Sequence, residues 1–109
     1  MIIILNDPIQ TLVDTINDLY PDVNCEIQYN PDLNEKVSEI WMSEENGNLI
    51  NINPYIPFTA IVETIAHEFS HIVSKSKDNI HNGEWRETLN NINKKYQEKI
   101  NSEFTKVEK

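Results

Sequence analysis

Between positions 58 and 76 apolar side chains recur at three- and four-residue steps, and a short polar motif is set among them. Ile61, Ile65, Phe69 and Ile72 mark one stripe, with Val62, Ala66 and Val73 beside it. That spacing predicts a helix over residues 58–76 with one buried face. Inside it stands His67-Glu68-Phe69-Ser70-His71, the pattern H-E-x-x-H. On a helix, positions four apart share a face with Cβ atoms roughly 5–6 Å apart, so both imidazoles can reach one metal ion. His67, His71 and Thr64 fall on one flank of the apolar stripe. Glu68, next to the first histidine, is then placed to act as general base toward a metal-activated water.

A catalytic zinc site takes three protein ligands and leaves a position open. The chain has three histidines, and the third is His81. The stretch between His71 and His81 is long enough to end a helix, turn, and bring the third imidazole back to the metal. Glu84 or Glu87 is the alternative third ligand, a carboxylate supplied from the last helix. His81 is favoured because neutral imidazole suits zinc. The bland reading of the motif is a polar patch on an amphipathic helix. The apolar residues hugging it and the nearby third histidine favour metal binding.

With 109 residues, 39% hydrophobic and 25% charged, the chain reads as one globular domain spanning residues 1–109. A net charge of −9 repels phosphate backbones and gives no support to a nucleic-acid binder. Lys75, Lys77, Lys94, Lys95 and Lys99 read as solvated helix faces. The single cysteine, Cys25, excludes an internal disulfide and a cysteine-based zinc site, and is expected to be a small buried residue on a strand. The apolar start Met1–Leu5 lacks a basic flank and is interrupted by Asn6-Asp7-Pro8. It is too short for a signal peptide or a membrane span, so the expected location is cytoplasmic.

Asp7-Pro8 is a helix opening, and Ile9, Leu12, Val13, Ile16, Leu19 and Tyr20 continue it over residues 8–20. Three strands are expected next, over Asn24–Tyr29, Val37–Ser43 and Asn48–Asn53. Asn46-Gly47 makes a tight turn between the last two. In the third strand Ile50 and Ile52 should face the core and the asparagines solvent. Trp41 is expected in the core. From Gly83, Trp85, Leu89, Ile92, Tyr96, Ile100 and Phe104 recur at helical steps, a long C-terminal helix that frays after about Phe104. The fold class is α+β: a helix, a small three-stranded sheet, the motif helix and a long last helix, with the helices against one sheet.

The run His67-Glu68-Phe69-Ser70-His71 followed by His81-x-x-x-Trp85 resembles the SprT-like (Spartan) zinc metalloproteases. That family shows H-E-x-x-H, a variable turn, then a histidine and an aromatic opening the next helix. Asn48–Asn53 followed by Pro54 resembles the family's strand before the active-site helix, and the likeness covers about residues 37–90. It implies a zincin-like fold, zinc on His67, His71 and His81, Glu68 as catalyst, and Trp85 packed behind the third ligand. Two departures stand out. Asn82 occupies the place of the glycine after the third histidine, with Gly83 one position later. The cysteine zinc ribbon of many relatives has no counterpart, so the resemblance by itself does not imply activity on DNA-crosslinked proteins.

The leading expectation is a zinc metalloendopeptidase acting on protein or peptide substrates, monomeric by default, with no membrane partner. Substrate would lie as an added strand along Asn48–Asn53 or Val37–Ser43. Tyr55 is a weak candidate for an oxyanion donor, and Glu63 for a partner of a ligand histidine. The alternatives are a zinc-binding interaction module without turnover and a hydrolase of a non-peptide amide.

Overall fold

The computed structural model describes residues 1–4, 7–76 and 80–102. Asp7 caps the first helix, α1 (Pro8–Leu19), its carboxylate accepting the Ile9 and Gln10 amides while Pro8 occupies the first turn. Tyr20 has already left helical geometry, so α1 stops one residue short of the expected end. Leu12 and Ile16 are buried on its inner face.

Strands β1 (Cys25–Tyr29), β2 (Ser38–Ser43) and β3 (Gly47–Ile52) form a sheet in the order β1-β3-β2. β1 runs parallel to β3, with Ile27 opposite Ile50, and β2 runs antiparallel to it, with Ile40 also opposite Ile50. The chain therefore crosses from one edge to the other before the hairpin returns it to the middle. A one-turn 3₁₀ segment, Pro31–Leu33, makes that crossing, with Asn30 accepting the Asp32 amide at 2.9 Å and Leu33 buried. The hairpin turn occupies residues 44–46, and Gly47 is already in the strand at φ 83°, where glycine has no Cβ penalty.

The second half of β3 is buried on both faces, so the asparagines turn away from the core as expected but do not reach solvent. Ile50 and Ile52 are inaccessible on the core side, but Asn51 and Asn53 are buried on the other. Asn53 fastens the crossing segment, donating from Nδ2 to the carbonyls of Asn34 and Lys36 at 3.1 Å and accepting the Tyr55 amide at 2.9 Å. Trp41 is also corrected. It pairs with Leu49, one residue out of phase with the Ile40–Ile50 pair, and is 62% exposed on the outer face of an edge strand. Cys25 is half-buried against the core rather than enclosed.

Helix α2 (Phe58–Ser74) lays Ile61, Ile65, Ala66, Phe69 and Ile72 into the cluster around Ile50 and Ile52. Burying a side chain such as Ile65 completely contributes about 1.5–3 kcal/mol. Helix α3 (Gly83–Ser102) packs on α1 and α2, with Trp85, Thr88 and Ile92 buried along its inner face. Leu12 and Ile16 of α1 join the same cluster as the α2 stripe and the isoleucines of β3, while α3 packs on α1 and α2. Lys99 bonds Asp18 across the α1–α3 seam and holds that carboxyl below its ordinary pKa. Phe104 and Lys77 lie outside the described residues.

Candidate metal centre

The second half of α2 is where the buried stripe and the polar motif meet. One helical turn separates His67 from His71, and their Nε2 atoms lie 3.3 Å apart. Two zinc–nitrogen bonds of roughly 2.0–2.1 Å at the tetrahedral angle span roughly 3.3–3.4 Å between nitrogens, so this pair already fits one edge of such a site. His81, on the segment before α3, brings its ring centroid to 5.0 Å from that of His67 and 5.2 Å from that of His71. One ligand atom from each of the three lies within 4.8 Å of the others. They are the group of three that forms among the described residues, and neither Glu84 nor Glu87, both exposed on α3, belongs to it.

Burial grades across the three: His71 is fully enclosed, His67 half-buried and His81 exposed. The enclosed ring needs partners, and it finds one that sequence reasoning missed. Its Nδ1 lies 2.9 Å from Ser76 Oγ, which lies 2.7 Å from Ser74 Oγ, which in turn donates to the Ser70 carbonyl at 2.8 Å. All three serines are buried. Local backbone geometry makes this possible. Lys75 adopts the left-handed conformation at φ 55°, ending the helix two residues before its expected limit. The Ser76 amide then bonds the His71 carbonyl at 3.1 Å and the Lys75 amide bonds Ile72 at 3.4 Å, the paired bonds of a Schellman end. The chain doubles back onto the residue it must support. The signal in the sequence was the Ser74-Lys75-Ser76 run, which reads as a polar helix end.

Trp85 ties the third histidine to the first. Its ring stacks on His81 at 4.0 Å and 19°, and its Nε1 donates to the His67 carbonyl at 3.2 Å. Asn82 caps α3, its Oδ1 accepting the Trp85 amide at 2.8 Å and its carbonyl accepting the Arg86 amide at 3.1 Å. That explains why an asparagine suits the position after His81: the helix begins at Gly83, and its cap sits where a glycine was expected.

Glu68 is 4% exposed, an expensive place for a carboxylate without partners. Its Oε2 accepts from Ser38 Oγ at 3.3 Å, and its Oε1 lies 3.8 Å from His67 Nε2. Beside it opens a cleft of about 350 Å³ lined by Val37, Ser38, Glu63, Thr64, His67 and Glu68. The cleft runs between α2 and the start of β2. Since β3 is the central strand, β2 is the edge beside it, and Asn48–Asn53 is excluded as an edge. Glu63 is an exposed wall residue of this cleft, and Ser76 Oγ stands beside His71 Nδ1. Tyr55 is 79% exposed and is not among the residues lining the cleft.

Comparison of the chain with protein-family models, with curated proteins and with solved structures found no match. Among the described residues no helix is long and apolar enough to cross a membrane.

Proposed function

We propose that the chain is a zinc metalloendopeptidase of the zincin type, SprT-like in its motifs, with His67, His71 and His81 holding the metal and Glu68 as general base. The observation that carries the reading is Glu68, buried beside His67, whose imidazole converges with that of His71, and against a cleft. A site that only held a metal would have no use for a desolvated carboxylate there.

Three imidazole nitrogens form a donor set that suits zinc and leaves a position for a reactant. Bound there, zinc supplies Lewis-acid polarisation of a carbonyl and acidifies water. Ser38 holds Oε2 of Glu68, so Oε1 is the oxygen nearer the histidines. Glu68 takes up a proton as the scissile carbonyl is attacked and returns it to the leaving amine. The outer edge of β2 offers main-chain groups to an extended peptide, which favours a peptide over an isolated small amide.

Zinc content and casein cleavage, each with and without a chelator, test the proposal together with Glu68→Gln. The substitution should keep the zinc and the fold and lower the rate by roughly 10²–10⁴. A zinc-loaded wild type that cleaves no unfolded protein or peptide would transfer the reading to a binding module without turnover.

A further inference from the structure

The hydrogen-bond chain behind His71 has a direction, and the direction decides whether the proton sits on Nδ1 or on Nε2, the nitrogen that faces His67. The Ser70 carbonyl can only accept, so the 2.8 Å contact from Ser74 Oγ uses the Ser74 proton. Ser74 Oγ therefore accepts across its 2.7 Å contact, using the Ser76 proton. With that proton committed, Ser76 Oγ accepts across the 2.9 Å contact to His71, and the proton must sit on Nδ1. Running the chain the other way would set two oxygen lone pairs against each other at the Ser70 end.

We propose that Ser74 and Ser76 are positioning residues that lock His71 in the Nδ1–H tautomer and present the Nε2 lone pair to the metal. The function assigned to the pair rests on the metal-site reading above; the tautomer does not. The lock is structural because every member is buried: His71 and Ser70 are inaccessible, and Ser74 and Ser76 are nearly so. Water therefore does not compete for Nδ1. The left-handed Lys75 aims Ser76 back at the ring, so the device belongs to the end of α2. His67 is half-buried and His81 exposed, so the open side of the site lies toward them.

Ligand histidines commonly depend on the partner of their second nitrogen, and loss of such a partner weakens metal affinity roughly 10–100-fold. The test uses the full chain in two arms. In the metal-free wild type at mildly alkaline pH, nitrogen-15 NMR of the His71 ring should show the proton on Nδ1. Zinc competition titrations should show Ser76→Ala roughly 10–100-fold weaker. Ser74→Ala, which leaves Ser76 in place but frees its proton to turn toward the ring, should shift part of the His71 population to the other tautomer. Ser76→Thr keeps the hydroxyl and should restore both the tautomer and the affinity.

A wild-type ring protonated on Nε2 would overturn the lock. So would a Ser76→Ala protein that binds zinc as tightly as the wild type. Should the wild type bind no zinc, the positioning role falls with the metalloprotease reading, while the NMR arm still judges the tautomer on its own.

Discussion

Trp85 donates its indole N–H to the His67 carbonyl at 3.2 Å while its ring lies flat against His81. One side chain therefore sets the distance between α2 and the segment carrying the third histidine. A core aromatic would fill the same space without the donor. Trp85→Phe should keep some of the stacking but lose the bond, costing about 0.5–1.5 kcal/mol for the hydrogen bond alone. In a domain of this size that lowers the melting temperature by several degrees. Zinc affinity should fall as well, because His81 loses its tether to His67; an unchanged affinity would reduce Trp85 to core filling.

The third ligand separates His81 from the acidic residues on α3. His81→Ala leaves two imidazoles and should weaken zinc binding strongly, whereas Glu84→Ala should leave it nearly intact. Isothermal titration or a chromophoric chelator reads both. The reverse order would place the third ligand on α3.

Metal removal should cost stability. A ligand bound only by the folded state stabilises it in proportion to the logarithm of its excess over Kd, about 2.7 kcal/mol at a hundredfold excess. Here the metal would join α2 to the chain just before α3. Chelation should therefore lower the wild-type melting temperature and leave that of His67→Ala unchanged. Equal shifts in both proteins would locate the bound metal elsewhere.

Cys25 reports on folding independently of the metal. Burial, with Glu26 adding to it, pushes its thiol up to about 11. Because the thiolate is the nucleophile, the folded protein should be alkylated slowly at pH 8, and the rate should climb only as pH approaches 11. Unfolding returns the thiol to its ordinary range, roughly 8.5, so urea should accelerate labelling sharply. Fast labelling of the native protein would mean that β1 opens locally.

What the sequence determined by itself is what short-range geometry controls. Asp7-Pro8 opens α1 because a cap and a preset φ act within one turn. His67 and His71 share a face because they are four residues apart on a helix whose apolar stripe is legible. Three helices and a three-stranded sheet followed from periodicity in the same way. Tertiary structure alone decided the rest. Strand order made β3 central, the crossing segment bonded Asn53, and Asn51 ended buried while Trp41 stayed outside, because alternation says which residues share a face but not whether a face is covered. The meeting of His81 with the α2 pair depends on α3 packing against α2, and Ser76 reaches His71 because one residue, Lys75, takes a left-handed turn. Helical periodicity carries no trace of that turn, since it is the point at which the periodicity stops.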